Sequence, residues 1–539
     1  MLKIKFKKPF DQDKLIFILF SVIWIFIFIS SGIITAGFDY FVDDHEIYRI
    51  HREKMDINQI FIIPFTSLLS NTDRLRPLYN VFNNIFSHLF GINSVVWYCS
   101  NLGVAITTSL LFYKLARKEL FSVIESILFA SIIVFGEQSY IYARFGTPET
   151  TANLLISLAF LFGSGAINKD NKKLNILFKV LFVFFSISAS LNLEAYILML
   201  PALAFFNVWS YSIRNKISLT NSFVLNKTTA LILLSIFIIL IAFIKIHGIN
   251  GPGYAGVDGS LLNITKITNL FNDILYKTCF IIAIFINICY ILLSYFSKNK
   301  ALKKPDYGFY ILCGLVIIPQ LILYCKSGMY QHYLLPCVIG ISLLTIYPLR
   351  RIKQLVPTFY PALILLLIII VYNKAHAALV LFKDRSAHNQ AEQIMIADLR
   401  FCLKNKSKFM LLANPYINYE PIGSLHNSIL AKEILNINHN DFYLVTYGSS
   451  HSDLKSDAFK GEEQQWSFLN INELTDSYNH IKLQNIPKRD LDKIHAILIF
   501  GAQEFEHDFK RRVQNWFNLQ QFKYKYYKNT DIGLFCKKS

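Results

Sequence analysis

Residues 15–37 read LIFILFSVIWIFIFISSGIITAG, and FDYFVDDHE follows, so the acidic cluster Asp43-Asp44-His45-Glu46 comes directly after an uncharged apolar run. About 20 apolar residues suffice to cross the hydrocarbon core as a helix. Lipid offers no partners to backbone N–H and C=O groups, so a segment of this kind must satisfy them internally. The stretch therefore decides the fold class. It also delivers carboxylates to one membrane face, where chemistry at the surface becomes the first hypothesis.

The rest of the chain repeats the pattern. Of its 539 residues 53% are hydrophobic and 15% aromatic, with a mean hydropathy of +0.38. That composition excludes an ordinary soluble globular protein and predicts an α-helical polytopic membrane protein. Further apolar spans fall at about 93–113, 120–136, 151–167, 174–191, 194–212, 228–247, 270–296, 308–325, 332–349 and 356–373, roughly eleven with the first. The formal charge of +18 does not call for nucleic acid, because Lys and Arg fall mostly in the short segments between spans. Alternate loops are the basic ones: Lys114/Arg117/Lys118, Lys169/Lys172/Lys173, Arg214/Lys216/Lys227, Lys298/Lys300/Lys303/Lys304 and Arg350/Arg351/Lys353. The positive-inside rule then puts the N-terminus in the cytoplasm, and an odd span count puts everything after Tyr372 outside it. Residues 1–14, with five lysines, resemble a signal n-region, but the apolar run is too long and has no Ala-x-Ala-like cleavage site. A retained anchor in the plasma (inner) membrane is expected.

Two regions break the alternation of span and short loop. The first outer loop, 38–91, contains apolar segments at 57–69 and 77–90, too short for a crossing and read as interfacial helices. Leu78, Val81, Phe82, Ile85, Phe86 and Leu89 follow helical spacing and leave Asn80, Asn83, Asn84 and Ser87 on the other side, expected to meet water. From 374 to 539 the composition turns charged and mixed, with strand-like runs at 409–413, 442–446 and 496–500, which predicts a separate extracytoplasmic α/β domain after a membrane domain of 1–373. Six of the eight cysteines lie in or beside apolar spans and behave as small hydrophobes. Cys402 and Cys536 sit in the C-terminal domain, either as a disulfide or as two buried thiols.

Several residues stand where they can carry chemistry. Asp43 or Asp44, if ionised within reach of an acceptor hydroxyl, can serve as a general base; as solvated caps of a helix over 46–52 they would do nothing more than start it. His45, Glu46, His51 and Glu53 show no metal-ligand spacing such as HExxH. Arg76 precedes Pro77, a favoured first helical residue, and can bind a phosphate through paired hydrogen bonds or snorkel to headgroups. Glu137, Arg144 and Glu149 crowd the second outer loop, and Glu149 at a helix start has an ordinary dipole explanation. Glu194 lies between two spans with almost no loop, where an unpaired charge is costly unless it faces a polar cavity. The Gly-rich segment 247–260 is irregular backbone, a close-approach loop or a connector. Lys326, His332 and Tyr333 fall at the outer end of two spans; Lys326 can neutralise a departing phosphate, and Tyr330 and Tyr333 fit an aromatic belt just as well.

Taken in order, these segments resemble the GT-C superfamily of membrane glycosyltransferases, most clearly its bacterial members and the tetratricopeptide-containing O-mannosyltransferases. Phe41-Val42-Asp43-Asp44-His45 resembles the acidic pair after the first helix, and Arg76-Pro77-Leu78 through Leu89-Phe90-Gly91 the motif that follows. Leu193-Glu194-Ala195 before Pro201 resembles a Lys-Glu-x-Ala segment, and Tyr333-Leu334-Leu335-Pro336 an Arg-Tyr-Leu-Leu-Pro element. The likeness covers about residues 14–340 and departs from the family twice: Asn192 or Leu193 takes the place of a lysine, and His332 that of an arginine. What it implies is transfer of a sugar from a polyprenyl-phosphate-linked donor to a hydroxyl of a lipid, glycan or protein on the extracytoplasmic face. Asp43 or Asp44 would be the base, and Arg76, Arg144, Lys326 or a protonated His332 would meet the phosphate. Such a donor requires no nucleotide and no metal, while a divalent cation remains compatible. A transporter or flippase of lipid-linked substrates is the competing class, but no inverted repeat is visible. A polysaccharide polymerase or ligase would carry its large outer loop between late helices, whereas here the large loop comes first.

Overall fold

The structure is a computed structural model that describes residues 9–41, 47, 50–51, 56–66, 75–119, 121–165, 172–246, 268, 279–296, 306–327, 335–403, 408–413, 442–446, 492–500 and 519–538. Among them run thirteen α-helices: α1 (Pro9–Ser31), α2 (Ile57–Thr66), α3 (Pro77–Phe90), α4 (Ser94–Lys118), α5 (Val123–Val134), α6 (Pro148–Gly165), α7 (Lys172–Asn192), α8 (Leu200–Asn215), α9 (Leu219–Ile246), α10 (Phe280–Phe296), α11 (Tyr307–Ser327), α12 (Leu335–Leu355) and α13 (Tyr360–Cys402). Each of the eleven expected spans overlaps one of these helices. Among the described residues seven helices are long and apolar enough to cross a membrane, or eight if α5 and the 3-10 turn Glu137–Ala143, bent by 68°, form one span. The helices Phe280–Phe296 and Tyr307–Leu323 are apolar but shorter.

The chain divides into two compact units. The first comprises Met1–Ser31, Ile57–Asn83 and Tyr98–Phe382, and the second Gly32–Asp56, Asn84–Trp97 and Lys383–Ser539. In the first, polar side chains deep among apolar helices are paired, as a lipid setting demands. The buried Trp24 of α1 donates its indole N–H to Ser109 Oγ of α4 at 3.0 Å and lies 5.1 Å from the Phe135 ring and 5.2 Å from that of Tyr142. Asn207 of α8 donates to the Gly163 carbonyl at 3.1 Å, and a Cβ at Gly163 would stand 2.9 Å from the Phe182 ring, so glycine sets the close approach of α6 and α7. One end of this helix set carries a buried ionic group: Arg214 reaches Glu119 at 2.9 Å, and Ser210 donates to the same carboxylate at 2.7 Å. Nearby, Glu125 and Ser122 form a capping box at the start of α5.

The polar side of α3 departs from expectation. Asn83, Asn84 and Ser87 are buried, while Leu89 is 67% exposed. Asn80 stays exposed, Val81 is buried, and Leu78, Phe82, Ile85 and Phe86 are half-buried, so both sides of the helix are largely covered and Leu89 alone of these apolar side chains is open.

The second unit holds a five-stranded sheet in the order β2-β1-β3-β5-β4, with β1 at Lys408–Ala413, β2 at Phe442–Thr446, β3 at Ile494–Phe500, β4 at Phe522–Tyr527 and β5 at Ile532–Lys537. β1 is parallel to β2 and β3, and β5 is antiparallel to β3 and β4. β3 is buried along nearly its whole length, the pattern of a central strand covered on both faces. α13 is 43 residues long, about 65 Å at 1.5 Å per residue and twice the hydrocarbon thickness. Its apolar first part suits a crossing. From Lys383 onward it is charged and belongs to the second unit. Cys402 at the end of this helix forms a disulfide with Cys536 of β5, which resolves the alternative left open by the sequence.

Candidate active site

Three chain reversals of the first unit meet at the end of the helix set opposite the Glu119–Arg214 group. α6 runs from one to the other, about 27 Å over its 18 residues. At its far end Gly165 lies beside Lys118, whose Nζ would be 3.1 Å from an added Cβ. At its near end the break after α5 is set by Gly136, with φ of 117°, a conformation open to glycine. Gln138 then folds back and donates to the carbonyls of Ile132, Ile133 and Phe135 at 2.9, 3.0 and 2.5 Å. One amide so satisfies acceptors that a helix C-terminus leaves exposed. The turn presents Glu137 at its start and Arg144 at its end. Asn101 of α4 anchors that end, donating to the Tyr142 carbonyl at 3.2 Å and the Arg144 carbonyl at 2.7 Å, and the Arg144 guanidinium stands over the Tyr140 ring at 5.7 Å.

The second reversal joins α7 to the 3-10 turn Glu194–Met199. Asn192, fully buried, donates to the Pro148 carbonyl at 2.5 Å and accepts from Thr151 at 3.1 Å. It fastens the end of α7 to the start of α6, a structural task that a lysine would not perform in the same way. Two residues on, Glu194 accepts from Arg76 Nε at 2.6 Å, the two side chains being 24% and 15% exposed. The cost of an unpaired charge at this depth is thereby avoided. Arg76 comes from the third reversal, one residue before α3. Tyr79 on the first turn of that helix donates to the Gly146 carbonyl. An arginine carries five N–H donors in a fixed fork, of which the Glu194 contact takes one.

The structure thus brings together Arg76 and Glu194, 118 positions apart, and sets Glu137 and Arg144 at the two ends of one turn. Lys326 falls at the end of α11, with its side chain outside the described residues. That helix packs against the Glu194 turn, since Gln320, six residues earlier, donates to the Ala195 carbonyl at 2.9 Å. Asp43, Asp44, His45, Glu46, Glu53, Tyr330, His332 and Tyr333 lie outside the described residues, as does the Gly-rich segment 247–260. Three polar residues went unnoticed in the sequence. Gln320 steadies the Glu194 turn; Tyr196 is buried there with no hydrogen-bond partner for its hydroxyl among the described residues; and Lys374 of α13 reaches Gly136, where a Cβ would stand 3.0 Å from its Nζ. A cation inside the apolar run of α13 was the available signal for the last.

Among the described residues one group has donor atoms close enough to hold a metal ion, Asp39, His388 and Glu392, all within 4.8 Å. It belongs to the second unit. Arg385 pairs with Asp39, and His388 Nε2 lies 3.0 Å from Glu392. Arg385 and the neighbouring imidazole are the cationic partners of these two carboxyl groups.

No family model and no curated protein matches this chain. Among solved structures it is similar to ArnT from Cupriavidus metallidurans bound to undecaprenyl phosphate, at 10% identity and a TM-score of 0.46 over 96% of this chain and 97% of that one. It is also similar to the apo oligosaccharyltransferase of Archaeoglobus fulgidus, at 12% identity and a TM-score of 0.49 over 94% of this chain and 72% of that one. Likenesses at this level assign no residue.

Proposed function

We propose that the chain is an integral membrane glycosyltransferase of the GT-C type, moving a sugar from a polyprenyl-phosphate donor to an acceptor hydroxyl on the extracytoplasmic side. The observation that carries the reading is the Arg76–Glu194 ion pair. Both residues were singled out as parts of separate family-like motifs, and the fold joins them. Sidedness supports it as well. Lys118 and Arg214 accompany the Glu119 group at the opposite end of α6, so the positive-inside rule leaves the Arg76 end facing away from the cytoplasm. The Cys402–Cys536 disulfide suits an oxidising compartment.

In this reaction Asp43 or Asp44 accepts the acceptor's hydroxyl proton, the acceptor oxygen bonds to the anomeric carbon, and the bond from that carbon to the phosphate oxygen breaks. The electron pair leaves with the polyprenyl phosphate, and the anomeric centre inverts in a single displacement. Arg76, with Arg144 and Lys326, neutralises the charge gathering on the leaving phosphate. Glu194 holds the Arg76 guanidinium.

The test is reconstitution in liposomes with undecaprenyl-phosphate-linked hexoses and aminoarabinose, following release of undecaprenyl phosphate. Wild type should turn over at least one donor, and Asp43→Asn or Asp44→Asn should abolish turnover while insertion and melting temperature persist. Full activity in the double variant would move the base elsewhere. Transbilayer movement of the donors without bond cleavage would make the protein a transporter.

A further inference from the structure

The segment that leads to Asp43 is held along one face of α13. Arg385, Asn389, Glu392 and Gln393 are spaced i, i+4, i+7 and i+8, which sets them on a single helix face. Each engages the chain running from Gly37 to Tyr40. Asn389 donates to the Gly37 carbonyl at 3.1 Å, and Gln393 to the Phe38 carbonyl at 2.9 Å. Glu392 accepts the Tyr40 N–H at 2.7 Å, and Gln393 accepts the Tyr40 hydroxyl at 3.0 Å. Arg385 pairs with the Asp39 carboxylate, which is fully buried.

The contact is close. Gly37, with φ of 85°, would push a Cβ to 2.6 Å from the Gln393 side chain. Phe41 continues the attachment, its ring 5.0 Å from that of Phe500 at the end of β3. The helix face is itself fixed to the sheet: His388 Nδ1 lies 2.9 Å from the Asn529 carbonyl, Asp398 pairs with Lys525 at 2.5 Å, and Cys402 is bonded to Cys536. Outside regular helix and strand, this segment has the Gly37 and Phe38 carbonyls and the Tyr40 N–H each met by a side chain of α13. That arrangement specifies a conformation more tightly than burial alone requires.

Asp43 is two residues beyond Phe41 in the sequence, at most about 7 Å of chain. We propose that the Arg385–Gln393 face of α13 is a positioning template for the Asp43–Asp44 pair, so that the C-terminal unit serves catalysis by fixing where the base emerges. This inference rests on the catalytic reading of that pair. The residues of the template act through the segment and touch no substrate.

Two readouts test it in the full-length reconstituted protein. Hydrogen–deuterium exchange of a peptide covering 33–41 should rise in Glu392→Leu, in Asn389→Ala/Gln393→Ala and in Gly37→Ala. It should stay near wild type in Glu392→Gln, which keeps an acceptor for the Tyr40 N–H. In turnover with the undecaprenyl-phosphate donors, the first three should lose kcat by about a hundredfold, as expected for a reacting group misplaced by about 1 Å, with the donor KM within about twofold. Glu392→Gln should restore most of kcat. Raised exchange with wild-type kcat, while Asp43→Asn/Asp44→Asn is inactive, overturns the template. If Asp43→Asn/Asp44→Asn is itself fully active, the catalytic reading has failed instead, and the exchange data alone then decide whether the face holds the segment. Unchanged exchange in all three variants overturns the inference outright.

Discussion

Replacing Arg76 by glutamine removes one charge from a pair whose oxygen and nitrogen are 2.6 Å apart and whose side chains are mostly buried. With charge centres about 4 Å apart and an effective dielectric near 20, the Coulomb attraction is about 4 kcal/mol. Desolvation of both groups offsets part of it, leaving about 1.5–3 kcal/mol, the usual net value of a hydrogen bond between charged groups. If the pair were only structural, Arg76→Gln and Glu194→Gln would each cost about 2 kcal/mol of stability, the double variant would cost little more, and kcat of the folded fraction would hold. If Arg76 also meets the departing phosphate, Arg76→Gln should lower kcat by about 10²–10³, with Glu194→Gln retaining more activity because the guanidinium stays. Chemical denaturation of the four proteins gives the coupling energy, and donor turnover at saturating concentration gives kcat. Wild-type kcat in Arg76→Gln would refute the assignment.

The Asp39–Glu392 neighbourhood should respond to pH. Burial, with the nearby Asp39 charge, pushes the Glu392 carboxyl up to about 7, and although burial lowers the His388 imidazole, Glu392 and Asp39 outweigh it and bring it above its ordinary value. Both groups hold protons more tightly folded than unfolded, so their contribution is full below the ordinary glutamate value of 4.5 and falls as pH rises through about 7. Exchange at 33–41 should therefore increase from pH 5 to pH 8 in wild type and change less in Glu392→Gln; an equal response would remove Glu392 from the effect. Gly136→Ala should cost more than about 1 kcal/mol, because alanine at positive φ is strained and its Cβ would stand 2.7 Å from Gln138 Oε1; an unchanged denaturation midpoint would contradict the tight break after α5. Cys402 and Cys536 should appear as one linked peptide in non-reducing digests of protein from intact cells, and two free thiols would count against an oxidising location. Single cysteines introduced near Asp258 and near Lys300 should differ in labelling from outside the cell, the first reacting and the second not.

Much of the membrane half was legible because lipid enforces a simple grammar of apolar runs and basic loops. Arg76 and Glu194 were visible as charges stranded between such runs, and their meeting was not, since spacing in sequence says nothing of which reversals share an end. The polar side of α3 was legible only in part, Asn80 being exposed and Asn83, Asn84 and Ser87 buried, because helical spacing separates amides from apolar side chains without saying which of them the fold covers. Lys523 and Lys525 alternate with Tyr524 and Tyr526 in β4, a strand signal that passed unread among the mixed composition of the last domain. The hold on residues 37–40 was beyond sequence reading, because Asn389, Glu392 and Gln393 look like the solvated side of a polar helix until their partners are seen.

Those partners are about as far apart in synthesis as the chain allows. Tyr40 leaves the ribosome 352 residues before Glu392, roughly 20–70 s earlier at the usual pace of translation. Throughout that interval Asp39 has no Arg385 to meet it, so its carboxylate must wait hydrated while nearly every membrane helix is inserted. Residues 37–40 are consequently among the earliest parts made and the last to take their shape, which the side chains of the final helix complete.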